Sequence, residues 1–319
     1  MTSLRVGCLQ LEPTFKNPTK SIKRADEVIE EFGLKAGQLD LLVLPEMAFT
    51  GYCFTSREDI APWIEEVPAG RTSKWAMKTA RKMGCYVQVG VPTLAPFSDG
   101  PPSSSSSAPT PEDLYYNSII LVTPQGKIHT TYHKHFLFET DQSWATPGPS
   151  FISLSLPFPP SSPHAQEDKT FKYAPAICMD LNAEAFDASL EKLAFSNFVS
   201  QERIDVAVAS NAWLDTEMVK PSDDGVEAEE VREGIRDVAE GSWEEVKGLI
   251  GYWVYRMSTN LEDPATAFVV CNRVGREGDS VFAGSSCIME LGDRPTVMKH
   301  ASKKKEELIF AEIKLPKRD

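Results

Sequence analysis

Three residues of this 319-residue chain carry side chains that could cooperate in covalent chemistry: Cys178, Glu46 and Lys134. Cys178 lies in Ala174-Pro-Ala-Ile-Cys-Met-Asp-Leu-Asn182, where a buried strand, Tyr173 to Ile177, runs into a tight turn. A cysteine at such an elbow has its sulfur lifted clear of the sheet, near backbone N–H groups that favour a thiolate and can hold an oxyanion. Glu46 follows Asp40-Leu-Leu-Val-Leu-Pro45, four aliphatics between turn signals, which reads as a strand buried on both faces. Lys134 stands at the far end of a β-hairpin, inside Tyr132-His-Lys-His-Phe-Leu-Phe-Glu139. A thiol, a carboxylate and an ammonium are the parts of an acyl transfer: the acid takes the thiol proton, the sulfur attacks a carbonyl carbon, and the ammonium with a backbone N–H holds the oxyanion. Singly, each has a plainer explanation. Cys178 would be a small buried hydrophobe, Glu46 an exposed loop acid, and Lys134 a solvated lysine. What they share is a place at a strand end, where active groups of layered α/β proteins collect.

The elements that must position them follow from periodicity. Leu4 to Leu11 is strand-like. Asn17-Pro18-Thr19 offers a helix start, and Ile22, Ala25, Val28, Ile29 and Phe32 recur at helical spacing until Gly33 and Gly37. Met47 to Phe54 reads as a loop with a glycine hinge, Ser73 to Met83 as a helix and Tyr86 to Val91 as a buried strand. Tyr116–Val122 and Lys127–Tyr132 form a hairpin about Pro124-Gln-Gly126. Beyond Cys178 a helical pattern runs through Ala185, Leu190, Leu193, Ala194 and Phe198. Ile204–Ala209 and Ala267–Cys271 are buried strands, Leu249–Leu261 is helical, and Cys287–Leu291 and Glu307–Lys314 close the sheet. Pro157 to Pro163 is irregular. The proline- and serine-rich stretch near 97–111 and the acidic stretch 216–247 read as solvated insertions, the latter with some helix around Val226 to Val238. No repeat of fixed period is present, and nothing in the composition divides the chain, so we expect one domain over 1–319.

Composition sets limits on partners. The net charge of −13 argues against nucleic acid and anionic membranes. No apolar run is long enough to span a bilayer, and no secretory signal precedes the first strand. Six dispersed cysteines without Cys-x-x-Cys suit reduced thiols in a cytoplasmic protein, not a disulfide frame or zinc site. His133-x-His135 is too short a signal for a metal, and we expect neither metal nor other cofactor.

The whole set of motifs resembles a known family. Leu44-Pro-Glu-Met-Ala-Phe-Thr-Gly-Tyr52, Tyr132-His-Lys-His-Phe-Leu-Phe138 and Ile177-Cys-Met-Asp-Leu-Asn182 look like the three signature blocks of the nitrilase superfamily, the carbon–nitrogen hydrolases. Tyr116-Asn-Ser118, Thr146-Pro-Gly148, Asn211-Ala-Trp213, Asn272-Arg-Val-Gly275 and Phe282-Ala-Gly-Ser-Ser286 match in the family's order, so the resemblance covers nearly the whole chain. It implies a four-layer α-β-β-α sandwich and a Glu-Lys-Cys triad: Glu46 as general base, Lys134 for the oxyanion and protons, Cys178 as nucleophile. Within the superfamily, Thr50 to Ile60, Phe136 to Asp141 with Trp144, and Ala212-Trp-Leu214 are similar to the fungal protein N-terminal amidases. That group converts an N-terminal Asn or Gln of a polypeptide to Asp or Glu with release of ammonia, and so feeds the N-degron pathway.

Two departures stand out. Many members carry a second glutamate six residues before the Pro-Gly turn. The corresponding residue is Asp141, with Glu139 two residues earlier. The family's Cys-x-Asp-x-Arg block ends here in Asn182, so no substrate carboxylate is expected to be clamped there, which suits a peptide. The implied chemistry places the oxyanion against Lys134 and the Met179 N–H, a thioester on Cys178, and water activated by Glu46. Asp180, Asp141 and Glu139 are candidates to read the substrate's α-ammonium, with Asp180 alternatively capping the helix after the elbow. Trp213 and Tyr52 are candidate pocket walls, or packing. Alternatives are a small-molecule ω-amidase of the same fold and a non-catalytic binding relative. Asn-versus-Gln preference and oligomeric state are not encoded in any motif.

Overall fold

The computed structural model describes residues 2–95, 114–167, 169–182, 193–215, 235–237, 242–261 and 266–316. Their strands form two facing sheets. The first has the order β15-β1-β2-β3-β4-β5, built from β1 (Ser3–Gln10), β2 (Leu41–Val43), β3 (Tyr86–Ala95), β4 (Leu114–Val122), β5 (Ile128–His133) and β15 (Glu307–Lys314). The second has the order β6-β7-β8-β10-β13-β14-β9, from β6 (Leu154–Pro157), β7 (Thr170–Ile177), β8 (Val206–Ser210), β9 (Arg236–Asp237), β10 (Ala267–Cys271), β13 (Cys287–Glu290) and β14 (Thr296–His300). Two short strands, β11 (Arg276–Glu277) and β12 (Ser280–Val281), pair separately.

Alternation along the central strands explains why they are apolar throughout. In β2, Leu41 and Val43 join Leu4, Val6, Phe171, Tyr173, Val206 and Val208 in the core between the sheets, whereas Leu42 and Leu44 face the outer core with Trp75, Ala76 and Ala80. In β8, Val206 and Val208 point to the sheet interface, and Ala207 and Ala209 to the opposite outer core. Successive side chains of a strand take opposite faces, so a strand covered on both sides is hydrophobic at every position. Helices α1 (Pro18–Phe32) and α3 (Arg71–Met83), with the short α2 (Arg57–Ile60) between them in the chain, belong to the first half, and α1 and α3 cover the first sheet. Helices α5 (Ala194–Gln201) and α6 (Trp243–Arg256) cover the second. The layers are therefore α-β-β-α, as the motifs implied. Asn17 caps α1 by accepting from the Lys20 N–H, and Gly33 ends it at φ +74°, a conformation that costs glycine nothing.

Several local expectations change. The chain does not enter an α-helix directly after Cys178. It makes one 3-10 turn, Cys178–Leu181, and α5 begins at Ala194; Ala185 and Leu190 lie outside the described residues. The insertion near 97–111 is also outside them. Of 216–247 only 235–237 and 242–247 are described; Arg236 and Asp237 pair with β14 as a strand, not as part of a helix. Helix α6 starts six residues before the expected Leu249, because Trp243, Val246, Ile250, Trp253 and Val254 recur at helical spacing and Glu244 and Glu245 favour the first turn. It ends at Arg256, and a 3-10 turn carries the chain through Ser258–Asn260. Strand β6 precedes the stretch read as irregular and shares only Pro157 with it; it is an edge strand with alternate residues exposed, a weak pattern over four positions. Among the described residues, no helix is long and apolar enough to cross a membrane.

Candidate active site

Strands β2, β7 and β8 run parallel within their sheets, and their carboxyl ends supply Glu46, Cys178 and Asn211. Lys134 arrives from the neighbouring hairpin, one residue past β5. Two glycines let the backbone close around these groups. A Cβ on Gly90 would stand 2.5 Å from both the Pro45 oxygen and the Met47 nitrogen, so only glycine lets β3 pass against the segment that carries Glu46. A Cβ on Gly148 would stand 2.1 Å from the His133 oxygen; without one, the Gly148 N–H reaches the Lys134 carbonyl at 2.7 Å.

Glu46, Lys134 and Asp141 are all wholly buried. The Lys134 ammonium donates to Glu46 Oε1 at 2.7 Å and to Asp141 Oδ2 at 2.5 Å. Asn117 Nδ2 donates to Glu46 Oε1 at 2.6 Å and to Asp141 Oδ1 at 3.0 Å. The Ala212 N–H donates to Glu46 Oε2 at 2.8 Å. The Tyr52 hydroxyl reaches Asp141 Oδ2 at 3.3 Å, and the Tyr52 ring lies 5.7 Å from the ammonium. Asp141, not Glu139, is thus the second acid of the site: Glu139 is exposed two residues earlier on α4 (Glu139–Gln142). The aspartate reaches because the start of this helix folds over the site, with the Phe138 N–H donating to Asp141 Oδ2 at 3.1 Å.

Burial is the main force on these protonation states. It raises the pKa of Glu46; Lys134 opposes that rise and the Asp141 charge adds to it. Burial alone would lower the pKa of Lys134, but Asp141 and Glu46 outweigh it, and the ammonium stays charged. Cys178 keeps partial contact with solvent, yet enough protein surrounds the sulfur that desolvation pushes its pKa well up. The Glu46 charge pushes the same way, while Lys134 and the Ala212 N–H favour the thiolate. Cys178 therefore rests as a thiol in the field of both Glu46 and Lys134. Cys178 itself has φ +43°, the left-handed region that strains a residue with a Cβ, and its N–H donates to Asn211 Oδ1 at 3.0 Å.

The remaining candidates divide. Asp180 is wholly buried and fully engaged: Oδ1 accepts from the His135 and Phe136 N–H groups at 3.0 and 2.9 Å, and Oδ2 from the Ile177 N–H and the Tyr132 hydroxyl at 2.8 and 2.7 Å. It staples the lysine segment to the cysteine elbow, with both oxygens already occupied by donors of the protein itself. Met179 is buried in the 3-10 turn directly after Cys178. Trp213 is half-buried against Tyr252 and Trp253, with ring centroids 5.7 and 5.9 Å apart. Asn182 accepts from the Tyr252 hydroxyl at 2.5 Å, so a neutral pair stands where the family's arginine would be. Asn117 and Asn211 lie within motifs matched by resemblance, and the resemblance assigns them no role. Their types alone carry no signal, since a buried asparagine is usually a satisfied structural amide. Among the described residues no cluster of metal-ligating side chains occurs; His133 bonds Ser118 and His135 bonds the Gly148 carbonyl.

Comparison with known proteins bears on this arrangement. The model of the carbon–nitrogen hydrolase family matches residues 5–318. A protein N-terminal amidase of Schizosaccharomyces pombe is 31% identical over 309 residues, spanning 92% of this chain and 94% of its own. A solved N-terminal amidase with an Asn-Glu-Ala peptide superposes with a TM-score of 0.77 at 20% identity, over 98% of this chain and 97% of that one. One with a Gln-Val peptide gives 0.76, at the same identity and coverage.

Proposed function

The chain belongs to the carbon–nitrogen hydrolase family, and from that premise we propose that it deamidates N-terminal Asn or Gln of polypeptides, releasing ammonia and leaving Asp or Glu. The observation that carries this reading is the wholly buried Lys134–Glu46 pair, 2.7 Å apart, at strand ends shared with a thiol that responds to both charges. The N-terminal amidase similar along nearly its full length, and the Asn- and Gln-starting peptides held by proteins of the same fold, support the substrate.

In the proposed reaction Cys178 Sγ attacks the side-chain amide carbon while Glu46 accepts the thiol proton. The oxyanion is held by the Lys134 ammonium and the Met179 N–H. The tetrahedral species expels ammonia with the proton returned through the triad, and a thioester remains. Glu46 then takes a proton from water, which attacks the thioester and frees the acid and the thiol. Asn117 and Asp141 hold Glu46 and Lys134 in place, and Tyr52 backs Asp141. The neutral Asn182–Tyr252 pair supports a peptide over a free ω-amide acid, because it supplies no cation for a carboxylate. We take residues 1–319 as one catalytic unit. The free state of all six cysteines supports a reducing compartment such as the cytoplasm, where the product would enter the N-degron pathway.

Ammonia release from an Asn-starting peptide, its N-acetylated form and free glutamine tests the reading. The free peptide should be turned over fastest. Preference for free glutamine would instead support the small-molecule amidase.

A further inference from the structure

We propose that Asn211 is a positioning residue for the nucleophile, and that Ser210-Asn211-Ala212 at the end of β8 sets the thiol and the acid against one another. This rests on Cys178 and Glu46 acting as nucleophile and base. The parallel register pairs Ile177 with Ser210, so Asn211 leaves β8 beside Cys178. Its backbone is anchored on the far side, where the Asn211 N–H donates to the Cys271 carbonyl at 2.8 Å. Its side chain is wholly buried, and Oδ1 accepts the Cys178 N–H at 3.0 Å. A backbone N–H can only donate, so the amide orientation is fixed by chemistry.

That bond sits where the chain is strained. Cys178 at φ +43° begins a 3-10 turn, and its N–H has no carbonyl within the turn to meet. Asn211 supplies the acceptor and so holds the sulfur-bearing residue in a conformation it would otherwise leave.

The residues on either side of Asn211 grip the acid. Ser210 Oγ donates to the Leu44 carbonyl at 2.6 Å, two residues before Glu46, and itself accepts from Gln88 Nε2 at 2.9 Å. The Ala212 N–H donates to Glu46 Oε2 at 2.8 Å. Three consecutive residues of one strand end thus bind the Glu46 segment, the Cys178 backbone and the Glu46 carboxylate in turn. Glu46 and Cys178 belong to different sheets, and β8 is the short path between them.

The test pairs Asn211→Leu, which removes the acceptor at similar volume, with Asn211→Asp, which keeps it. Each is assayed for kcat and KM on an Asn-starting peptide and for selective alkylation of Cys178 by iodoacetamide, read by peptide mass, with folding checked by circular dichroism. We expect Asn211→Leu to lose about 100-fold in kcat with KM little changed, since a small misplacement of a reacting group costs that much. Its Cys178 should also be alkylated more slowly than in the wild type. Asn211→Asp should recover most of both. If Asn211→Leu does not fold, Asn211→Ala takes its place in the same comparison. Wild-type kcat in the acceptor-less variant, or no recovery in Asn211→Asp, overturns the proposal. Should the wild type release no ammonia from any amide, the functional reading fails, while the alkylation comparison still decides the role of Asn211.

Discussion

The Lys134 ammonium lies 2.7 Å from a Glu46 oxygen, and neither side chain exposes any surface. Two charges withdrawn from water are held by each other and by Asn117, Asp141 and the Ala212 N–H. Such a pair contributes little net stability against an apolar substitute, because the desolvation of both ions offsets their attraction. Its retention in a core is therefore better explained by chemistry than by folding.

Removing one partner is costly. Lys134→Met leaves Glu46 and Asp141 facing each other without a cation, so we expect a loss of about 3–5 kcal/mol in urea unfolding together with loss of turnover. An unchanged unfolding midpoint would contradict the placement of this lysine.

The acid limb of the pH–rate profile reports Glu46, which must be ionised to accept the thiol proton. Its pKa is raised first by burial and further by the Asp141 charge. Asp141→Asn removes that charge, so the pKa of Glu46 falls and the base is available at lower pH. The acid limb of kcat/KM should move to lower pH in this variant, even where the maximal rate is reduced. Movement to higher pH would show that Asp141 does not act on Glu46 in this way.

Asp180 separates a staple from a substrate reader. Both of its oxygens accept two hydrogen bonds, and Asp180→Asn would set an NH2 group against N–H donors. We expect a stability loss of about 1–3 kcal/mol, with the preference for a free over an N-acetylated Asn peptide unchanged. A preference that vanishes without loss of stability would restore Asp180 as the group that reads the α-ammonium.

Much of this arrangement was legible from local chemistry. Leu41 to Leu44 could only be a strand covered on both faces, and Pro45 had to end it, which put Glu46 at a strand end. The positions of Lys134 and Cys178 followed from a hairpin and an elbow in the same way. What stayed hidden depends on register across sheets. That Asn211 stands beside Cys178 follows from Ile177 pairing with Ser210, 33 residues away, which no local pattern encodes. The choice of Asp141 over Glu139 turned on how one short helix folds over the site. Asp180 was open to two readings in the linear motif, substrate acid or cap, because its four donors come from segments that meet only in the fold.

The thioester is the claim on which the account depends. Enzyme mixed with excess Asn-starting peptide and quenched in acid during turnover should yield a Cys178-containing fragment heavier by the substrate less ammonia, and Cys178→Ala should give neither the adduct nor ammonia. Ammonia release by Cys178→Ala at the wild-type rate, or turnover with Cys178 never modified, would contradict it.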